Sequence, residues 1–324
     1  MNKVLVTGAG GFIGSNLVEE LIKSGITVKA FIHYNSSNSW GNLEFLPEDI
    51  KKEIEVISGN IQDPFSVNNA IKGQDTVFHL AALIGIPYSY KAPNSYVNTN
   101  VIGTLNILQA CLDNNIEKIV HTSTSETYGT AIYTPIDEKH PLKAQSPYSA
   151  SKIGADKLAE SYHLSFGLPI AIIRPFNTFG PRQSARAIIP TIISQILSGS
   201  KVVIGSINPV RDFTFVKDTV NGFIKIATEQ KSAGELINIG SGKGISIGEL
   251  AHKIIQMINP ETEIIIDTKR IRPDKSEVMK LICDNTKARE ILNWKPNFSL
   301  EDGIKETISY IKNHLELYKL IYNV

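Results

Sequence analysis

The stretch that decides the fold is residues 3–14, Lys-Val-Leu-Val-Thr-Gly-Ala-Gly-Gly-Phe-Ile-Gly. A short apolar strand pattern runs into a turn with glycines at positions 8, 11 and 14, and a helical pattern follows. Such glycines let the chain turn sharply, approach a pyrophosphate closely and pack the helix on the sheet. Free N–H groups at the helix start would face the negative charge. The sequence therefore predicts a dinucleotide site at this first strand-to-helix junction.

From this junction to Arg174, short β-rich runs alternate with helical patterns. Strands are predicted at 3–6, 27–32, 54–57, 76–80, 118–123 and 170–174, with helices at 14–24, 97–114 and 147–166. This order is typical of an α/β, doubly wound parallel sheet of the Rossmann type. Beyond Arg174, prolines and glycines interrupt shorter segments. We therefore expect a Rossmann domain over 1–175, rejoined by part of 210–240, and a smaller mixed α/β substrate lobe over 176–324.

Composition excludes several classes of function. The 324 residues carry 33 basic and 32 acidic side chains, a net charge of +1, which gives no field to attract nucleic acid or an anionic membrane. The N-terminus has no signal-peptide pattern, and no run approaches the ~20 apolar residues of a membrane span. The two cysteines have no metal-binding spacing. We expect a cytoplasmic protein without a metal.

The end of the second predicted strand, residues 27–32, indicates whether the cofactor is NAD or NADP. An NAD site usually presents an acid to the adenosine ribose at the end of this strand, but residues 28–35 contain none. A 2′-phosphate would need a cation instead, and the first arginine of the chain is Arg174. Lys29 and His33 remain as candidate cations. The sequence therefore favours NAD and leaves NADP open.

A tyrosine and a lysine lie four residues apart in the helix predicted over 147–166. Tyr148 and Lys152 would share one helix face, where an ammonium group is expected to lower the pKa of the phenol towards that of a general base. Thr124, 24 residues before Tyr148, follows a predicted strand, at the edge where doubly wound folds do chemistry. Ser125 and Glu126 come next, and a carboxylate there is suited to taking a proton from a carbon beside a ketone.

Together these motifs resemble the nucleotide-sugar 4,6-dehydratases of the extended short-chain dehydrogenase/reductase family. More closely, the sequence looks like the dehydratases of bacterial legionaminic or pseudaminic acid pathways, which act on N-acetylglucosamine nucleotides. The segments that carry the resemblance are the glycine loop, residues 124–129 (TSETYG), 148–152, 174–182 (RPFNTFGPR) and 211–218 (RDFTFVKD), with 34–41, 86–90 and 182–186 for the closer likeness.

The resemblance implies a mechanism. Tyr148, helped by Lys152 and Thr124, would oxidise C4 of the sugar, Glu126 would remove the C5 proton, water would leave C6, and the hydride would return to C6. Several such dehydratases carry Asp where this chain has Ser125, and a serine hydroxyl is a poor acid at neutral pH. Either Glu126 serves as both base and acid, or water relays the proton.

The resemblance also implies which residues bind each ligand. The cofactor would contact Gly8, Gly11, Phe12, Ile13, Gly14, His33, Asn60, Ile61, Leu80, Ala81, Ala82, Asn100, Tyr148 and Lys152. All seven arginines lie from Arg174 onward, and guanidinium groups suit a diphosphate. Asn177, Arg211 and Arg272 would hold the pyrophosphate of the nucleotide-sugar, residues 187–190 and 202–204, including Ile189 and Val203, would flank the base, and Arg182 would also contact the substrate.

Other functions stay open at this point. The same Tyr148 and Lys152 would serve a nucleotide-glucuronate decarboxylase or a 4-epimerase, and a nucleotide-sensing module without activity is a further alternative. The helical pattern over 101–112 is apolar nearly all round, so we expect a second subunit to cover one face and form a homodimer.

Overall fold

The computed structural model describes residues 1–273 and 275–319. Its strands are β1 Lys3–Thr7, β2 Thr27–His33, β3 Ile54–Gly59, β4 Thr76–His79, β5 Lys118–Thr122, β6 Ile170–Pro175, β7 Asn177–Phe179, β8 Lys201–Ile204, β9 Val210–Phe215, β10 Leu236–Ile239, β11 Gly244–Ser246, β12 Glu263–Ile266 and β13 Lys280–Leu281. Its α-helices are α1 Phe12–Lys23, α2 Glu48–Lys52, α3 Pro64–Ile71, α4 Ile86–Lys91, α5 Pro93–Tyr96, α6 Gly103–Asp113, α7 Pro147–Phe166, α8 Ile188–Ser198, α9 Val216–Thr228, α10 Ile247–Ile258, α11 Thr286–Leu292 and α12 Leu300–Asn313.

Seven parallel strands form the main sheet, in the order β10-β6-β5-β4-β1-β2-β3. The central strands are apolar and buried on both faces, as helices on both sides of a parallel sheet require. Strand order reverses between β4 and β1, and ligands of such folds bind at the carboxyl ends of the strands near this point. The predicted Rossmann-type fold class is therefore confirmed.

The sheet takes in chain from beyond residue 175. Strand β10 pairs with β6, and α9 packs against α1 and strands β5 and β6. Two smaller sheets lie outside this layer: β9 pairs with β7, β11 and β13, and β8 pairs with β12. The division into two lobes at residue 175 stays a prediction, because the chain crosses between these layers more than once.

Helix α7, which carries Tyr148 and Lys152, has clear start and stop signals. Ser146 caps its first turn in a reciprocal capping box with Ser149, and Pro147 occupies the first helical position. Gly167 ends the helix at φ +69°. The helix predicted over 97–114 is less regular, because Val97–Ile102 form a π-helical segment before α6 begins. In the part of the chain that the structure describes, no helix is long and apolar enough to span a bilayer.

Candidate active site

The glycine loop has the shape of a pyrophosphate cradle. Gly8 has φ +69°, and a Cβ atom there would lie 2.8 Å from the main-chain nitrogen of Ala81. A Cβ atom on Gly14 would lie 2.3 Å from the carbonyl oxygen of Gly8, so this position also excludes a side chain. Gly11 caps α1 without a side-chain hydrogen bond, and the first turn, starting at Phe12 and Ile13, contains no acid. The helix start thus leaves N–H groups for an anion, as a bound dinucleotide requires.

The end of β2 contains no cation cluster among the residues described there. His33 is the last residue of the strand and its side chain is exposed. Lys29 lies four residues earlier, and its Nζ is 3.7 Å from the carboxylate of Glu55. Lys29, one of the two candidate cations for a 2′-phosphate, is therefore already paired with Glu55 in the interior of the strand. This geometry favours NAD over NADP.

The other predicted cofactor residues lie at the carboxyl ends of β3 and β4 or on the helix that faces them. Leu80 and Ala81 donate their N–H groups to the Thr7 hydroxyl at 3.2 Å each, which ties the end of β4 to β1. Ala82 follows them, and Asn60 and Ile61 directly follow β3.

Asn100 connects these segments to α7, the helix that carries Tyr148 and Lys152, which we call the catalytic helix. It exchanges two hydrogen bonds with the main chain of Leu83, at 2.8 and 2.9 Å, and it donates to the Ser151 hydroxyl on α7 at 2.9 Å. The segment that follows β4 is therefore held beside α7.

Tyr148 and Lys152 are both buried on α7, one turn apart. The Thr124 side chain lies close enough to the Tyr148 phenol to lower its pKa. Lys152 donates from Nζ to the main-chain oxygen of Thr122, 2.6 Å away, at the end of β5. The predicted triad of Thr124, Tyr148 and Lys152 is thus gathered at the carboxyl edge of the sheet.

The expected lowering of the Tyr148 pKa is wrong for this arrangement. Burial raises the pKa of Tyr148 well above its ordinary value, and the negative charge of Glu126 adds to that rise, although the Thr124 side chain opposes both. Lys152 directs its ammonium group to Thr122, and burial lowers the pKa of Lys152 to about 8. Helical spacing predicted that the two side chains are neighbours, but it could not predict where the ammonium points.

Sequence reasoning missed a buried charge network behind Lys152. Asp156 lies one further turn along α7 and accepts hydrogen bonds from Ser123 Oγ at 2.5 Å, Arg174 Nη2 at 2.7 Å and His121 Nε2 at 3.1 Å. Burial alone would raise the pKa of Asp156, but the His121 hydrogen bond and the Arg174 charge hold it well below its usual range. The only sequence signal is the spacing of four residues between Lys152 and Asp156.

Glu126 lies close to both the catalytic helix and the arginine-bearing strand. It belongs to a 3₁₀ turn over Ser125–Tyr128, in which Ser125 is buried and Glu126 is half-buried. Its negative charge raises the pKa of Tyr148 and also acts on Arg211 in β9, whose own pKa burial lowers. A carboxylate here can accept a proton from a group held against Tyr148.

The structure gathers some of the predicted substrate residues. Glu277 joins Arg211 to Arg272, with its Oε1 atom 3.2 Å from Arg211 Nη2 and 3.6 Å from Arg272 Nη1. The Asn177 Oδ1 atom is buried and has no hydrogen-bond partner among the described residues, so it can accept a bond from a ligand. The arginine pair has the charge and geometry to bind a diphosphate.

The remaining predicted substrate residues have partners within the protein. Arg182, at φ +71°, binds Asn16 and Glu19 of α1, both at 2.6 Å, although it also borders a cleft of about 560 Å³ beside Gly11. Ile189 is buried in the main hydrophobic core. The main chain of Val203 exchanges two hydrogen bonds with the Gln195 side chain, at 2.7 and 3.2 Å. The sequence indicated neither the α1 contacts of Arg182 nor the Gln195 contacts.

Comparison with known proteins agrees with this geometry. Residues 5–307 match the family model described as GDP-mannose 4,6 dehydratase. Over 96% of its length the chain is 33% identical to a putative UDP-glucose 4-epimerase of Methanocaldococcus jannaschii, covering 99% of that protein. It is 34% identical to a UDP-N-acetyl-alpha-D-glucosaminuronate decarboxylase of Bacillus cytotoxicus, covering 96% of this chain and 98% of the other.

Among solved structures, a dTDP-glucose 4,6-dehydratase of Streptomyces venezuelae with NAD bound superimposes with a TM-score of 0.87 and 28% identity, covering 98% of this chain and 99% of that one. The three relatives are named for three different reactions, so the likeness extends to the family and not to one chemistry. The chain therefore belongs to the GDP-mannose 4,6-dehydratase family of extended short-chain dehydrogenases/reductases, whose members include NAD-dependent nucleotide-sugar dehydratases, epimerases and decarboxylases.

Proposed function

We propose that this protein is a nucleotide-sugar 4,6-dehydratase acting on UDP-N-acetylglucosamine or a related N-acetylamino-sugar nucleotide. One observation carries the proposal: Glu126 follows Thr124 in the turn beside Tyr148, close enough for its charge to act on the phenol. Elimination of water needs a base for the C5 proton in addition to the base that acts at C4. An epimerase needs only the latter.

NAD is the cofactor in this proposal. When bound, it would supply a hydride acceptor for C4 and a hydride donor for C6. The glycine loop over Gly8–Gly14 would bind its pyrophosphate, and Asn100 joins the segment after β4 to α7. We expect Lys152 to reach the nicotinamide ribose as well as Tyr148.

The chain's own residues divide the proton transfers. Tyr148, beside Thr124, removes the proton from the C4 hydroxyl as C4 is oxidised to a ketone. The ketone acidifies C5, and Glu126 removes that proton while the C6 hydroxyl leaves as water. Ser125 is buried in the same turn and is a weak acid, so Glu126 returns its proton to the leaving group directly or through water. When hydride is added at C6, C5 takes up one proton, which balances the proton that Tyr148 removed from the C4 hydroxyl.

Arg211 and Arg272 would hold the pyrophosphate with Asn177. Their positive charges are already shared with Glu277, which keeps the buried Arg211 from being an unpaired cation before substrate arrives. The resemblance assigns the base to the segments around Ile189 and Val203, and Arg182 borders the cleft beside Gly11.

A nucleotide-glucuronate decarboxylase or a 4-epimerase is the second candidate, since close relatives carry those names. Incubation of purified enzyme with UDP-N-acetylglucosamine, followed by mass analysis, separates the reactions. Loss of one water marks dehydration, and an unchanged mass with an altered sugar marks epimerisation. If UDP-N-acetylglucosamine is not converted but the corresponding nucleotide-glucuronate is, the reaction is a decarboxylation. A protein that holds dinucleotide and converts none of these sugars would be a binding module.

We also propose a cytoplasmic homodimer that serves nonulosonic acid synthesis. Val97 and Ile102, on the helical segment leading into α6, are 48% and 41% exposed, which is consistent with a surface covered by a second copy. A monomer by light scattering at micromolar concentration would refute the dimer.

A further inference from the structure

Residues 275–279, which we call the Glu277 loop, determine where the two arginines point. The Glu277 carboxylate contacts Arg211 and Arg272 at 3.2 and 3.6 Å. Side-chain exposure is 8% for Arg211 and 15% for Glu277, so the ion pair between Arg211 and Glu277 has little freedom to reorient. Arg211 donates a hydrogen bond to this carboxylate, and Arg272, whose side chain is 29% exposed, forms an ion pair with the same oxygen. The position of the Glu277 loop therefore sets the geometry of the arginine pair.

Gln145 holds this loop from the Rossmann side. Its Nε2 donates to the main-chain oxygens of Lys275 at 3.0 Å and Glu277 at 3.4 Å. Its own main-chain oxygen accepts a hydrogen bond from the Ser276 hydroxyl at 2.6 Å. Three consecutive residues of the loop thus bind one residue that is 130 or more positions earlier in the sequence.

The same side chain also contacts the end of the catalytic turn. The Oε1 atom of Gln145 accepts a hydrogen bond from the Thr130 N–H at 2.6 Å. Gly129, with φ +65°, ends the turn over Ser125–Tyr128, and a Cβ atom at Gly129 would lie 2.6 Å from Gln145 Oε1. The amide therefore lies directly against the backbone three residues beyond Glu126. The oxygen of the Gln145 carboxamide therefore contacts the segment that follows the turn carrying Glu126, and its nitrogen contacts the Glu277 loop.

We propose that Gln145 is a positioning residue that fixes the distance between the arginine pair and Glu126. This inference rests on the proposed roles of Arg211, Arg272 and Glu126. Pyrophosphate and sugar are parts of one substrate, so the arginines can deliver C5 to Glu126 only if the two loops keep a constant separation. Small displacements of bound groups weaken both binding and turnover.

The variant Gln145→Glu disrupts the contacts of the donor end of the side chain. It keeps the size of the side chain and the acceptor that faces Thr130, but it cannot donate to Lys275 and Glu277 and places a negative charge against their carbonyl oxygens. The probe is whichever of UDP, GDP and dTDP the parent binds most tightly in calorimetric titration. We expect its Kd, and the KM for the nucleotide-sugar, to rise about tenfold, the value of one or two hydrogen bonds, and kcat to fall by about tenfold because C5 is displaced from Glu126, while NAD content stays at the parent level.

Gln74→Glu is the matched control. Its Nε2 donates to the Lys72 main-chain oxygen in an exposed turn, at 3.4 Å, so it makes the same chemical change away from the site. Its Kd should stay within twofold of the parent value. Parent-like nucleotide affinity in Gln145→Glu would overturn the proposal.

Amide hydrogen exchange tests the role of Gln145 in holding the Glu277 loop whether or not the protein has the proposed enzymatic function. In Gln145→Glu the amides of residues 275–280 should exchange faster, whichever nucleotide the protein binds, and parent-like exchange there would also overturn the proposal. If the parent binds none of the three nucleotides, the proposed function fails, and the exchange rates alone decide whether Gln145 holds the loop.

Discussion

The Asp156 carboxylate, one helical turn beyond Lys152 on α7, lies 2.7 Å from Nη2 of Arg174 in β6, and both side chains are buried. Asp156 bonds Ser123 and His121 as well, and the Arg174 guanidinium stacks 4.5 Å from the centre of the Tyr128 ring. The pair connects the catalytic helix to β5, β6 and the catalytic turn. It supports the site without contacting the reacting atoms.

Replacing Asp156 by Asn should destabilise the fold, because Arg174 would be left as an unpaired buried cation. We expect the free energy of unfolding to fall by about 3–5 kcal/mol at pH 7, measured by denaturant titration. The pKa of Asp156 is lowered in the fold, so its contribution is present above pH ~4 and is lost as the pH falls below that. The difference between parent and variant should shrink in acid. Asp49→Asn, at an exposed position, should cost less than about 0.5 kcal/mol.

Lys152 predicts a pH dependence of the same sign, with stability rising with pH, but in an alkaline range. Burial lowers its pKa to about 8, although the charge of Asp156 opposes the shift, whereas an unfolded lysine has a pKa of about 10.4. Between these values the unfolded chain holds a proton that the folded protein has released, so stability rises with pH. Relative to Lys152→Met, the parent should gain about 1 kcal/mol per pH unit between pH 8 and 10. A difference that stays constant over this range would show that Lys152 is not desolvated.

Tyr148→Phe should keep the fold and the bound NAD while lowering turnover by roughly 10²–10⁴, because only the proton-accepting oxygen is removed. Steady-state rates and the ratio of NAD to protein measure the two effects separately. Tyr133→Phe, which removes a hydroxyl bound to Asp137 on the surface, is the control and should leave turnover unchanged. More than a tenth of the parent activity in Tyr148→Phe would rule out its role as the base at C4.

Local spacing in the sequence predicted the parts of the site that a single element or turn carries. The glycines at 8, 11 and 14 and the pair of Tyr148 and Lys152 are such cases, because a strand-to-helix turn and a helix face are defined by residues a few positions apart. Thr124 was found from its place after a predicted strand, since the carboxyl ends of parallel strands share one edge.

Contacts between distant segments could not be predicted in this way. Asp156 and Arg174 meet only after α7 packs on the sheet, and Gln145 reaches Lys275 across 130 positions. Arg182 has charge suited to a diphosphate, but the structure gives it Glu19 as a partner. Residue type and local pattern carry no information about such pairings, because they depend on how the layers are stacked.

The C5 base is the point on which the dehydratase proposal depends. Glu126→Gln keeps the size and hydrogen bonding of the side chain and removes its proton affinity, while Thr124, Tyr148 and Lys152 remain able to oxidise C4. Oxidation should then continue without elimination. Ser125→Ala is the companion variant. If water relays the proton, this variant should keep most of the dehydratase activity, whereas direct proton donation by the serine would make its activity fall.

The most direct measurement follows the absorbance of reduced nicotinamide after Glu126→Gln is mixed with UDP-N-acetylglucosamine, with the dehydrated product quantified by mass analysis in the same samples. The account predicts that reduced cofactor accumulates on the enzyme while formation of the dehydrated sugar falls by roughly 10²–10⁴ relative to the parent. Dehydration by Glu126→Gln at the parent rate would contradict it, because Glu126 would then have no part in the reaction and the epimerase alternative would be favoured.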